Sequence, residues 1–578
     1  MLRANTVVLV LLLFSISGIA QQVAIKVISF VDSSPIAYAH VVNQSIQKGT
    51  ITDLEGNAII RYDTEIDSIQ ITYVGFKDFS ISVDSILQDP VVKLQRRARE
   101  LNTIVVFGKS TLLYKLIRKC RRKASYSAYP SKIYFQLASY YNNNQIEQLE
   151  SYYNGKVRGA DLEELELYKG RVGLSQVNDI SFLSPDASEA FYMHRTFLEN
   201  EYFPESPLSL SYRDLKKHYS LKLLRRYTDE ANHRIYVINF EPKATFTGFE
   251  GTVYIDSTKM NLLKIELNAL DAMPHPFRAK PEGDKILGTD LNLNKTFTVY
   301  QGKNLLQSCD FSYNIYYLNK EKQQYTINTK AIIYAYAFDE KFKLPLFESE
   351  SIKLNDYQKI SLAPFDTLFW KFHDEFRLAA SKYRIDRFMN GALVTGNEIY
   401  APLESLNLNR GFFEHPYRIW SKERITFDST HRKNTDEKRI SDPWYRGDLY
   451  HLSAKLFVAP LELNNNLGSR TCTVFDPFEA YYNLPLDTAA MVFINIDFDI
   501  VEVQRRKLDL EITNSSAYVQ VKEAYFDNRI RLYYKLKKYL KQVQRGQNTS
   551  ELINWNNYIK KELGIDNLSY FGFKPAAD

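Results

Sequence analysis

The side chains that could do chemistry lie far apart in this chain of 578 residues. The nine histidines, His40, His194, His218, His233, His275, His373, His415, His431 and His451, fall in no HExxH or HxxE spacing, so none sets two imidazoles on one helix face around zinc. No GxSxG elbow lifts a serine above a sheet for attack on an acyl group. Three cysteines, Cys120, Cys309 and Cys472, are odd in number and widely separated, which argues against a disulfide framework or a CxxC metal site. The carboxylates Asp161, Glu163, Glu164 and Glu166 read as a solvated strand or turn rather than an acid and base pair, although distant residues can still converge in a fold. Gly108-Lys109-Ser110, between a strand over 103–107 and a helix over 110–123, has the layout of a phosphate-binding loop. The first glycine of such a loop is replaced by Thr103, however, and amides cannot curl around a phosphate from inside a strand. The pattern predicts a protein that is not an enzyme, with no catalytic residue, no metal and no cofactor.

The elements that would position any site are strands. From His218 to Leu354 they follow one another, over 234–240, 251–256, 262–269, 291–300, 313–317 and 325–336. In one of them Leu263, Ile265, Leu267 and Ala269 alternate with Lys264, Glu266 and Asn268, the period of a strand with one face on a core. Upstream, Ile133, Phe135 and Leu137 alternate, and further strands are expected over 145–153 and 165–172. Between 178 and 212 three prolines and several aromatics interrupt the pattern. Within this insertion Phe191, Phe197 and Phe203 are candidate lid residues over one face of the sheet, or the packing of a long loop.

Short strands over 23–29, 39–43, 58–62, 68–73, 79–83 and 91–94 predict a small sandwich ahead of the sheet, with Asp53 opening a turn and Gly56 closing it. Pro35-Ile36-Ala37-Tyr38-Ala39, then Gly49-Thr50-Ile51-Thr52-Asp53-Leu54-Glu55-Gly56, then Ile69-Gln70-Ile71-Thr72-Tyr73-Val74-Gly75-Phe76, resembles the carboxypeptidase-like regulatory domain of exported Bacteroidota proteins. That resemblance implies a seven-stranded, transthyretin-like module over 21–96 with no peptidase chemistry of its own. The plug that follows this module in outer-membrane receptors does not follow here. Tyr236-Val237-Ile238-Asn239-Phe240-Glu241-Pro242, Phe249 to Asp256 and Leu262 to Glu266 are similar to the hairpins of LolA and LolB lipoprotein carriers. That implies a curved antiparallel sheet whose concave face holds acyl chains. An Asp followed by Ser or Thr and a small apolar residue or Thr, at Ser68, Ser85, Ser257, Thr367, Ser429 and Thr488, resembles the O-glycosylation motif of exported Bacteroidota proteins.

Residues 1–20 read as a secretory signal peptide, with Arg3, an apolar run over 7–14 and small residues at Gly18 and Ala20. No cysteine follows that run to carry a lipid, and no later segment is apolar enough to span a bilayer. A formal charge of +6 on 578 residues does not imply nucleic acid. Helices are expected over 364–389, 486–512, 516–543 and 550–563, the last capped by Thr549 and stopped by Gly564, with 390–467 irregular. The helix over 516–543 is basic, and reads as a solvated face opposite a packed one or as a peripheral membrane contact.

The reading is mainly β with α: a signal peptide (1–20), a seven-stranded β-sandwich (21–96), a linker with a helix (97–130), a large curved antiparallel sheet (131–356) and a mostly helical C-terminal region (357–578). Functionally it predicts an exported periplasmic or outer-membrane-associated protein that binds an envelope lipid, lipoprotein or protein partner. A scaffold without a ligand cavity and an unrecognised glycan or peptide hydrolase remain as alternatives.

Overall fold

The computed structural model describes residues 21–46, 48–96, 111–123, 128–175, 177, 194–197, 201–229, 232–277, 283–346, 360, 369–370, 379–391, 394–395, 398–399, 418–421, 424–427, 449–463, 466–475 and 480–574. The leader, the strand expected over 103–107 with its Gly108-Lys109-Ser110 turn, and the charged run over 431–439 lie outside the described residues.

Seven strands form the N-terminal sandwich: β1 (Gln21–Ser29), β2 (His40–Asn43), β3 (Lys48–Ile51), β4 (Asn57–Tyr62), β5 (Ser68–Thr72), β6 (Phe79–Ser82) and β7 (Val91–Leu94). One sheet runs β4-β1-β7 with β1 and β7 parallel, the other β3-β2-β5-β6, and Val23, Ile25, Val27, Ile69 and Ile71 fill the space between them. The turn that the sequence predicts is held by Asp53 Oδ1, which accepts hydrogen bonds from the amides of Glu55 and Asn57. Gly56 closes it at φ +77, where a Cβ would lie 2.4 Å from the Val27 carbonyl oxygen. Ser82 ends β6 as expected and also caps a short helix, α1 (Val83–Gln88), so Val83, expected in the strand, begins that helix instead.

Helix α2 (Thr111–Lys123) leads into the main sheet. Its first three strands are β8 (Tyr129–Tyr141), β9 (Asn144–Arg158) and β10 (Asp161–Leu174). After the insertion come α3 (Tyr212–His218), β11 (Tyr219–Thr228), β12 (Arg234–Pro242), β13 (Glu250–Asp256), β14 (Asn261–Ala269), β15 (Lys285–Tyr300), β16 (Lys303–Leu318) and β17 (Gln324–Phe338). The order is β11-β12-β13-β14-β15-β16-β17-β8-β9-β10, antiparallel throughout, with two-residue strands extending the β10 edge. The chain therefore starts in the middle of the sheet, crosses to the far edge through the insertion, and returns by consecutive hairpins until β17 meets β8.

The sheet is strongly curved. In a flat sheet β16 and β9 would stand about 14 Å apart, three strand spacings, yet the Leu306 amide donates to the carbonyl of Gly159, at the turn between β9 and β10, over 2.6 Å. The concave face carries a continuous core, to which β8 gives Ile133, Phe135 and Leu137, β12 gives Phe240, β14 gives Ile265 and Leu267, and β16 gives Phe311 and Tyr313. The expected alternation of Leu263 with Ile265 fails at one place. A bulge shifts the pairing between Tyr254/Lys264 and Ile255/Leu262, so Leu262 enters the core while Leu263 packs with Tyr227, Ile235 and Val237 in a separate cluster. Gly251, at φ +153, lets β13 run so close to β14 that a Cβ would lie 1.9 Å from the Glu266 carbonyl oxygen.

The sandwich docks on the convex side. His40 Nδ1 lies 3.2 Å from the Tyr334 hydroxyl, and Ile51 and Tyr38 pack with Tyr134, Tyr152 and Tyr334. Helix α4 (Ala379–Gly391) joins both parts, its Arg384 pairing with Glu55 at 3.0 Å and its Asp386 with Arg171 at 2.9 Å.

The C-terminal region is less purely helical than the sequence suggests. Ala454–Leu463, within the stretch expected to be irregular, forms a hairpin with Asn466–Phe475, most of which lies just beyond that stretch, and the hairpin packs on the long helix α5 (Thr488–Ile512). Helices α6 (Tyr518–Val543) and α7 (Thr549–Leu563) cover α5 from the other side. The cap of α7 is Asn548, whose side chain accepts from the Glu551 amide, one residue ahead of the expected Thr549, and Gly564 ends the helix in a left-handed conformation.

Candidate functional site

The concave face of the sheet is the candidate site, and the chain's own segments cover it. Helix α2 repeats apolar residues at helical spacing, so Leu113, Leu116, Ile117 and Cys120 share one face and are buried in the sheet's core, while Lys115, Lys119 and Arg122 face outward. Polar contacts hold its rim. The Tyr114 hydroxyl donates to the Tyr219 carbonyl over 3.0 Å, Arg121 donates to the Leu210 carbonyl, and Lys123 reaches the Lys259 carbonyl. Beside it the insertion contributes Phe203 and Leu208, and α3 contributes Leu215, all buried in the same core.

Beneath this cover lies a polar node. Lys295 sits on β15 at the inward parity of Leu291 and Leu293, and its side chain is 2% exposed. It donates to Thr196 Oγ1 at 2.8 Å, to the Ala160 carbonyl at 3.1 Å, to Asp161 Oδ1 at 3.2 Å and to the His194 carbonyl at 3.3 Å. Asp161 Oδ1 also accepts from the Thr196 amide at 2.6 Å. The node thus ties β15 to the turn before β10 and to the insertion, five strands across the sheet. His194 is buried edge-on against Phe203 and Phe249, with neither ring nitrogen partnered. Burial, reinforced by the Lys295 charge, pushes its pKa well below that of a free imidazole. Cys309, opposite Lys295 in register, has its thiol pushed up to about 12 by burial. These groups fix structure; the lysine is already fully engaged as a donor and the thiol is held protonated.

Of the lid residues expected from the sequence, Phe203 is fully buried in the concave core, in edge contact with Phe311, and Phe197 packs partly buried against it. Phe191 lies outside the described residues. Ser85 and Thr488 are exposed at helix starts, Ser68 is half-buried at the start of β5, and the Ser257 hydroxyl donates to the Arg234 carbonyl. Thr367 and Ser429 lie outside the described residues. Sequence reasoning missed the node because Asp161, His194 and Lys295 are more than a hundred residues apart at the extremes; the one available signal was a lysine at the inward parity of an apolar strand.

Among the described residues no group of three or more His, Cys, Asp or Glu side chains could hold a metal ion, and no helix is long and apolar enough to cross a membrane. No known family profile matches the chain, and no curated protein matches it. Among solved structures, a LolA superfamily protein from Nitrosomonas europaea matches over 40% of this chain and 93% of its own length, with 9% identity and a TM-score of 0.16. That score is too low to assign a shared fold.

Proposed function

We propose that this chain is an exported envelope protein, without catalytic activity, that binds an apolar envelope component such as the acyl chains of a lipid or lipoprotein on the concave face of its sheet. One observation carries the reading: α2 is an amphipathic cover seated on a continuous apolar surface by four side chains. Leu113, Leu116 and Ile117 each contribute about 1.5–3 kcal/mol by burial there, and an acyl chain on the same apolar surface would replace that contact with one of the same kind. The insertion residues Phe197 and Phe203 line the same surface.

The scaffold reading is favoured by a different observation. The convex face is already taken by the chain's own sandwich, and the concave core contains fully buried Tyr153, Phe240 and Phe249. The test is native mass spectrometry with lipid extraction on protein starting at Gln21, alongside binding of a fluorescent fatty acid. Co-purifying acyl lipid, with tighter fatty-acid binding when Leu116→Asp and Ile117→Asp unseat α2 and weaker binding for Phe197→Asp, supports the carrier reading. No acyl lipid and no fatty-acid binding, even with α2 unseated, leaves the scaffold.

A further inference from the structure

The outer face of α6 carries a second apolar surface, separate from the concave sheet. Its inner face, with Val521, Tyr525, Leu532, Tyr539 and Val543, is buried in the C-terminal core. On the opposite side Val519, Phe526, Ile530, Tyr533 and Tyr534 are 43–65% exposed. Their spacing places them in one stripe, about 22 Å long at 1.5 Å per residue. An ordinary solvated helix face is polar at these positions.

Charge identifies what such a stripe suits. The 26 residues of α6 carry seven lysines and arginines against Glu523 and Asp527, a net +5, where the whole chain has +6. The cations flank the stripe closely: the Lys522 ammonium lies 5.9 Å from the Phe526 ring centroid and the Lys537 ammonium 5.6 Å from that of Tyr533. A second copy of this chain docked on the same face would set like charge against like, because the exposed Lys522, Lys537, Lys538 and Lys541 outnumber Glu523 and Asp527 there, so self-association is electrostatically opposed. Aromatic and aliphatic side chains rimmed by lysines with long apolar stems match the headgroup region of an anionic bilayer, where rings sit at the interface and ammonium groups meet phosphates.

We infer that the outer face of α6 is a peripheral docking surface for an anionic membrane, with Phe526, Ile530 and Tyr534 entering the headgroup region and Lys537, Lys538 and Lys541 pairing with lipid phosphates. This surface is independent of the concave face, so either reading can fail without the other.

The experiment is co-sedimentation of the protein starting at Gln21 with two kinds of vesicle: phosphatidylcholine alone, and an equal mixture of phosphatidylcholine and phosphatidylglycerol. The protein binds the mixed vesicles and not the neutral ones, and added salt weakens the binding. Phe526→Ser/Ile530→Ser/Tyr534→Ser and Lys537→Glu/Lys538→Glu/Lys541→Glu each reduce it more than about tenfold. Their native circular dichroism is retained, since all six side chains are exposed. The three native cysteines are buried, so an Ile530→Cys variant takes an environment-sensitive dye selectively, and its emission shifts to the blue on mixed vesicles only. The inference is overturned by absence of binding to either vesicle, by binding that both triple variants retain, or by a concentration-dependent dimer that the apolar triple variant abolishes.

Discussion

The Lys295 ammonium lies 3.2 Å from Asp161 Oδ1, with the side chains 2% and 10% exposed. Two charges in such a place stabilise the fold only as a pair. Lys295→Met removes one and leaves Asp161 desolvated with only amides to hold it, a change expected to cost about 3–5 kcal/mol of stability. Lys295→Met/Asp161→Leu removes both and should recover a large part of that loss. Urea denaturation of the two single variants and the double variant gives the coupling directly; simple additivity would mean the pair does not latch the curved sheet.

His194 predicts the acid limb of the stability profile. It is held neutral in the folded protein by burial and by the nearby Lys295 charge, whereas in the unfolded chain it takes a proton near its ordinary value of 6.5. The unfolded state therefore binds more protons below that pH, and stability falls as the pH drops through about 6.5. His40, held to about 4 by burial at the sandwich interface, acts in the same direction. His194→Phe keeps an aromatic ring against Phe203 and Phe249 and removes two unpartnered nitrogens. It should leave stability at pH 8 equal or higher and make the decline from pH 7 to 5 shallower, as measured by thermal unfolding across that range.

Asp497 acts with the opposite sign. It lies inside α5, 4% exposed, and burial raises its pKa to about 7 from an ordinary 3.8. The folded state holds the proton more tightly, so its contribution is complete below about pH 4 and is lost as the pH rises through 7. At about 1.4 kcal/mol per pKa unit, the loss is on the order of 4 kcal/mol. Asp497→Asn should remove this dependence, leaving the variant more stable than the parent at pH 8 and closer to it at pH 5. Equal pH profiles would show that the carboxyl finds solvent.

The sheet was legible in the sequence because period-two alternation is a local property. Ile265, Leu267 and Ala269 announce their face, and the strand expected over 234–240 is found as Arg234–Pro242. Leu263 misled because a bulge is set by the partner strand as much as by its own. The hairpin of Ala454–Leu463 and Asn466–Phe475 was missed because Pro460 and the sequence run Asn464-Asn465-Asn466 read as irregular chain, and only α5 supplies the surface on which the hairpin packs. The node around Lys295 depends on curvature that brings β15 to the turn before β10, and no local pattern encodes that distance.

Cys120 offers a direct view of whether α2 lifts. It is buried on the inner face of the helix, and burial pushes its thiol up to about 12, so a maleimide should react with it very slowly while the helix is seated. With Cys309→Ala and Cys472→Ala it is the only thiol in the chain. If acyl chains take the place of α2, adding lauric acid should raise the labelling rate by about tenfold or more, because reaction then samples an open state populated by ligand rather than by spontaneous local unfolding. Tyr114→Phe, which removes the hydrogen bond to the Tyr219 carbonyl at the helix rim, should raise the basal rate without any lipid. Labelling that follows global unfolding alone, unmoved by lauric acid or by Tyr114→Phe, would mean that the cover never opens and that the concave face is only a core.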